Sequence, residues 1–237
     1  MSLLSSGIRE LVIVGSVFLF YRIMSIAISH GFDQASQNAY DIINLEKLLG
    51  IFFEQGFQSF FLHSTFLIHV VNTIYTIFYY PVLIIFAMWA FIYHQQQYLI
   101  VRNVLVISAT IAFICFALYP VAPPRMLPEF GFIDTMATHG VLNYGSTLLN
   151  NITNHYAAMP SCHFGWSLLI GIATIHIAKA WWLKIFGALL PSLMLVSILA
   201  TANHFILDAV GGAIVIGLSY GIVRLFYTTK ERALSRP

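Results

Sequence analysis

Apolar residues along this chain fall in long blocks, and the polar residues gather at the block ends. The first block runs from Leu11 to Ser29, interrupted by Arg22, which faces protein or snorkels to the interface. Further blocks cover Thr65–Tyr93, Val104–Tyr119, Met159–Ala178, Ile185–Ala202 and His204–Phe226. Each is close to or above the ~20 residues that cross a bilayer as a helix. The pattern therefore predicts an all-α membrane protein with six transmembrane helices. Leu11–Ile28 is too long for a signal-peptide core and no small-residue cleavage site follows it, so it reads as a retained anchor.

The intervening stretches have their own signatures. Gly31–Asn44 is polar, and Ile42–Phe53 then places Ile43, Leu45, Leu48, Leu49, Phe52 and Phe53 against Asn44, Glu46 and Lys47. That spacing predicts a helix lying in the interface, with a short buried helix as the alternative. His94–Arg102 reads as a short polar loop, and Lys179–Lys184, with two tryptophans, as a tight interfacial turn. Pro120, Pro123 and Pro124 stop the third span and open a long loop between helices 3 and 4, residues 120–160. The whole chain, 1–237, reads as one integral membrane domain with a polar, basic tail at 227–237.

Composition agrees: 59% of residues are hydrophobic, 8% are charged, and mean hydropathy is +0.83. A soluble domain is excluded. No basic cluster interleaved with aromatics points to nucleic acid. The two cysteines, Cys115 and Cys162, form no disulfide framework; Cys162, between Ser161 and His163, is either a nucleophile or a small packing residue. The net charge of +2 matters less than its distribution. With six spans, Arg9, Arg102, Lys179, Lys184, Arg224, Lys230, Arg232 and Arg236 share the side of both termini. Lys47 and Arg125 lie opposite, with most of the acidic residues. The positive-inside rule then places the termini in the cytoplasm and the long loop outside.

This topology brings scattered chemistry together. His204 and Asp208 are four apart, the spacing at which a carboxylate on a helix reaches an imidazole and orients it. Ionisable groups beside a membrane helix are expensive and mark a site. Arg125 after the third span, Ser161 and His163 at the start of the fourth, and His204 at the start of the sixth all reach the outer boundary. A guanidinium and a helix N-terminus both suit phosphate oxygens. Two histidines, one with a carboxylate partner, suggest a division of labour: His204 as nucleophile on phosphorus, His163 as general acid and base.

Two other readings of these residues stand beside that one. Two histidines and an aspartate can hold a transition metal, although Arg125 would repel it. The same side chains can also simply anchor helices to one another. His69, Asn72 and Tyr79 form a polar stripe on the second span, either interhelical glue or a cavity wall. Six remaining histidines (His30, His63, His94, His139, His155 and His176) sit singly near helix ends or in loops, and Asn151-Ile152-Thr153 matches a glycosylation acceptor.

Pro160-Ser161-Cys162-His163 and Asn203-His204-Phe205-Ile206-Leu207-Asp208 resemble the second and third motifs of the type-2 phosphatidic acid phosphatase superfamily. Tyr119-Pro120-Val121-Ala122-Pro123-Pro124-Arg125 looks like the first motif in the branch that includes the fungal inositol phosphorylceramide synthases and many bacterial membrane proteins. The similarity covers roughly residues 42–220. The resemblance implies a six-helix fold and metal-independent, cofactor-free transfer. It implies His204 as nucleophile, Asp208 as its orienting partner, His163 as acid/base, and Arg125 and Ser161 as phosphate ligands. Three positions depart: Leu118 and Ile198 stand where the superfamily has a lysine and an arginine, and Cys162 where a small residue is usual. Loss of two cations disfavours a simple phosphatidate phosphatase and leaves Asn203, Tyr75 and Tyr79 as substitute substrate ligands.

The expected function is lipid phosphotransfer, inositol-phosphotransferase-like, from a membrane lipid to a small alcohol, a lipid hydroxyl or water, in a bacterial cell membrane. A phosphatase using water and a non-catalytic phospholipid-binding or transport protein are the alternatives.

Overall fold

The computed structural model describes residues 7–17, 19, 31–139 and 154–234. The greater part of the predicted first span, residues 140–153 of the long loop, the Asn151 acceptor pattern and the last three residues lie outside that set. Among the described residues the chain is helical, with no strand beyond one isolated bridge between Val121 and Ala157. We number the helices α1 (residues 7–17), α2 (Phe32–Leu49), α3 (Glu54–Leu62), α4 (Thr65–Tyr93), α5 (Gln95–Leu118), α6 (Thr135–His139), α7 (Cys162–Ile177), α8 (Trp181–Ala200) and α9 (Ile206–Leu234).

Four of these, α4, α5, α8 and the Ile206–Tyr227 part of α9, are long and apolar enough to cross a membrane, and α7 is a shorter apolar helix. The protein is an integral membrane protein. α7 is the central element, packing against α4, α5, α8 and α9. Glycines set its closest approaches. A Cβ on Gly165 would meet the Gly212 carbonyl oxygen of α9 at 2.9 Å, and one on Gly171 would collide with the Gly187 carbonyl of α8. On both sides main chain rests on main chain.

Several boundaries differ from the sequence reading. The polar segment 31–44 is helix: Ala35, Ser36, Ala39, Ile42, Ile43 and Glu46 form one buried face of α2, whose first half, Ala35, Ser36 and Ala39, is small and escapes a search for large apolar residues. Gly50, at φ 70°, ends α2, and α3 follows from Glu54. The predicted loop 94–102 shrinks to His94, because the glutamines that follow are good helix formers and Arg102 is neutralised. Its Nη1 lies 2.7 and 2.6 Å from the two carboxylate oxygens of Glu10 on α1. Backbone helix continues through the predicted tail to Leu234.

α4 carries a widened turn at Ile74–Phe78. Pro81, three residues on, has no N–H to give and crowds the carbonyl one turn back, so the helix relaxes just upstream. The turn lies between Tyr75 and Tyr79, both of which face α7.

Candidate active site

The last two helices meet in a turn that holds His204. α8 ends with Ala202 N–H donating to Leu199 O at 3.0 Å and Asn203 N–H to Ile198 O at 3.0 Å, the paired bonds of a Schellman cap. The left-handed position is Ala202, φ 51°, where glycine is usual. This conformation aims the Ala202 carbonyl at Arg125, whose N–H donates to it at 2.8 Å. α9 starts only at Ile206, so His204 precedes the helix and does not ride on it. Contrary to the sequence prediction, helical spacing therefore does not pair His204 with Asp208: the two meet because Asp208 folds back over the first turn. Its Oδ2 accepts the Phe205 N–H at 2.8 Å and lies 3.4 Å from His204 Nδ1.

The nearer partner of Nδ1 is the Ala158 carbonyl oxygen, at 2.9 Å. A carbonyl can only accept, so Nδ1 carries the proton and Nε2 keeps its lone pair. Ala158 is held in turn by the proline segment: Val121 N–H donates to Tyr156 O at 2.9 Å and Ala158 N–H to Val121 O at 3.3 Å. Ala122 N–H bonds Ala35 O at 3.0 Å, and Asn38 Nδ2 donates to Pro120 O at 2.7 Å, tying the segment to α2. The stiff stretch that ends the third span thus positions both Arg125 and the carbonyl that fixes the His204 tautomer.

His163, in the first turn of α7, lies 5.9 Å from His204 between ring centroids. Tyr75 stacks on it at 4.4 Å and Tyr79 lies tilted against it at 4.6 Å, so the two tyrosines hold the imidazole from α4. Tyr79 also donates its hydroxyl to the Cys162 carbonyl at 3.4 Å. Because α7 and α9 touch through Gly165 and Gly212, the spacing of the two histidines is fixed by backbone contact. Gly212→Ala would drive its methyl into the Ser161 carbonyl. We expect it to destabilise the protein by about 1–3 kcal/mol and to lower turnover by more than the loss of folded protein explains, measured as activity per folded molecule.

Arg125, Asn203, His204, Cys162, His163, Tyr75 and Tyr79 all line one cavity of about 870 Å³. The cavity continues between α4 and α5 past Leu83, Ala87, Leu105 and Ala109 to Tyr98 and Arg102. Its wall is mostly apolar, with Arg125, Asn203, His163 and His204 at one end and Tyr98 and Arg102 at the other. Asp208 and Ser161 are fully buried and do not line it. Ser161 caps α7, accepting the Phe164 N–H at 3.3 Å, while its own N–H donates to Asp208 O at 2.9 Å. The Asn72 part of the polar stripe is glue, exchanging bonds with Thr135 at 3.0 Å. Among the described residues no group of three or more His, Cys, Asp or Glu side chains converges to hold a metal.

Arg125 is paired with Asp134 at 3.6 Å, and both side chains keep partial solvent access. Gln58 sets that pairing by clasping the Ile133 backbone at 2.8 and 3.0 Å. An anion arriving at Arg125 would compete with the carboxylate. Asp134→Asn is therefore expected to lower KM severalfold with little change in kcat, checked by steady-state kinetics at two salt concentrations.

A family model for the PAP2 superfamily matches residues 40–222. The chain belongs to the PAP2 superfamily. No curated protein and no solved structure shows significant similarity to it. PAP2 superfamily membership carries phosphatase or phosphotransferase chemistry on lipid phosphates, and the matched segment contains both histidines, Arg125 and Asp208.

One layer of this PAP2 site was not read from the sequence. Glu46 of α2 and Glu54 of α3 are fully buried beneath the His204 turn. Glu54 Oε1 accepts the Ile206 N–H at 2.9 Å, and Glu46 Oε1 accepts the Leu207 N–H at 3.0 Å. With Asp208 on Phe205, three carboxyl groups from three parts of the chain take three successive N–H groups at the head of α9. The sequence signal was available: in a chain with only nine acidic residues, two glutamates eight apart stand among apolar neighbours.

Proposed function

We propose that the protein is a metal-independent lipid phosphotransferase working through a phosphohistidine on His204. The observation that carries this reading is the commitment of Nδ1 to the Ala158 carbonyl, which leaves Nε2 as the free nucleophile beside His163 in a cavity that also presents Arg125. Nε2 attacks the phosphorus of a lipid phosphate, whose charge the Arg125 guanidinium balances. The bond from phosphorus to the leaving oxygen breaks, and that oxygen takes a proton from His163, whose protonated form the bound phosphate's negative charge favours. Neutral His163 then takes a proton from the incoming hydroxyl, whose oxygen displaces Nε2 and regenerates His204. Positioning and charge stabilisation contribute most of the acceleration.

The charge of the cavity favours a phosphodiester donor, and hence a transferase. Leu118 is 77% exposed and Ile198 fully buried, so neither departure from the family pattern brings a cation to the site. Among the described lining residues the arginines are Arg125 and the distant Arg102, which is paired with Glu10. One guanidinium matches the single charge of a diester better than the near-double charge of a monoester. A small alcohol or a lipid hydroxyl is the acceptor this reading favours, with water as the competing one. The site faces outward, with cytoplasmic termini, in a bacterial cell membrane.

The test is to quench purified protein during turnover of head-group-labelled phospholipid. We expect a label on the protein that is stable to base and lost in acid. Lipid turnover with no such label would sink the mechanism. Lipid mass spectrometry with and without inositol or ceramide then separates transfer from hydrolysis.

A further inference from the structure

We propose that Glu46 and Glu54 are positioning residues for the reaction, holding the turn that carries His204 by accepting the first free N–H groups of α9. The inference rests on the phosphohistidine reading. Without intrahelical acceptors these N–H groups must find partners elsewhere, and here water is replaced by two carboxyl groups with no solvent exposure. Glu54 is itself aligned, since its Oε2 accepts the Phe53 N–H at 2.9 Å. The glutamates therefore tie α2 and α3 to the catalytic turn across more than 150 residues of sequence.

The arrangement also requires a proton. Glu46 Oε2 and Asp208 Oδ1 are buried and have no N–H or O–H partner among the described residues. Three carboxylates cannot all stay charged against one another in a dry site. A proton kept on Glu46 turns one orphaned oxygen into a donor toward Glu54. Burial, reinforced by Glu54 and Asp208, pushes the Glu46 carboxyl from its ordinary 4.5 up to about 9. These are the charged groups that act on it; Lys47, its neighbour on α2, is directed over the rings of Phe52 and Phe130. Between these two values the folded protein holds a proton that the unfolded chain has released. Stability therefore falls as pH rises from about 4.5 to about 9, and the clamp loosens at the alkaline end.

The substitutions Glu46→Gln and Glu46→Ala separate positioning from bulk. Glutamine keeps the acceptor for Leu207 and supplies a permanent donor toward Glu54; alanine removes both. We expect Glu46→Ala and Glu54→Ala to lower kcat by about a hundredfold with KM little changed. Glu46→Gln should keep the wild-type kcat at neutral pH and extend activity to higher pH. Wild-type kcat in either alanine variant, or a glutamine variant as impaired as the alanine one, would overturn the proposal. A second measurement stands apart from turnover: carbethoxylation of His204 by diethyl pyrocarbonate, followed by peptide mass spectrometry on detergent-solubilised, monodisperse protein. The alanine variants should react severalfold faster at His204 and the glutamine variant at the wild-type rate. Equal rates in all of them overturn the positioning role even if the wild type proves to have no transferase activity, an outcome that would instead remove the functional reading.

Discussion

His204→Ala is expected to abolish phosphoryl transfer and the covalent label together, lowering kcat by about 10,000-fold or more. Two other imidazoles line the cavity, His155 and His163, and the second is clasped between Tyr75 and Tyr79. His163→Ala should behave differently. With a natural lipid it loses the acid that protonates the leaving oxygen, so the label fails to form. With a nitrophenyl phosphodiester, whose leaving group needs no proton, His204 should still be phosphorylated. Lacking a base to activate the second hydroxyl, the enzyme then stalls with label retained. A pulse-chase experiment reads the difference. Label formed and released at the wild-type rate in His163→Ala would remove His163 from the reaction.

Arg125→Ala comes second, with an expected loss of about 100- to 1,000-fold in kcat/KM. Its main chain is pinned to Ala202, and among the described residues its side chain pairs with the partly exposed Asp134. The substitution therefore removes the guanidinium without loosening the turn. Arg125→Lys should recover only part of the loss, because an ammonium cannot match two phosphate oxygens with a planar fork. Equal kinetics for Arg125→Ala and the wild type would leave the phosphate without its cation and refute the proposed donor site.

The residues of this site were legible in the sequence where their types are costly. A histidine, an aspartate or an arginine at the edge of an apolar block has no cheap explanation, and counting spans brought Arg125, His163 and His204 to one boundary. Tyr75 and Tyr79, named from the sequence as substrate ligands, line the cavity and also pack against the His163 ring. What escaped was tertiary. The acceptor nearest to His204 is a main-chain carbonyl, which has no signature in a sequence. Glu46 read as the polar side of an amphipathic pattern and Glu54 lay just beyond it; their partners, Leu207 and Ile206, lie far along the chain. The start of α9 was misplaced by two residues because an apolar run does not mark where a carboxylate cap begins. Membrane helices were easier to find than their ends, since hydropathy reports burial in lipid and not the hydrogen bonds that start and stop a helix.

The glycine contacts of α7 have one more consequence. Where two backbones touch, no layer of side chains lies between them to be compressed, rotated or repacked. α7 is seated this way against both α8 and α9, so the gap between His163 and His204 behaves like a machined spacer. Changes in the lipid-facing shell of the bundle can alter membrane fit or thermal tolerance while the gauge of the reaction centre stays the same. The outer surface is therefore the place to adapt this protein to a different bilayer or detergent.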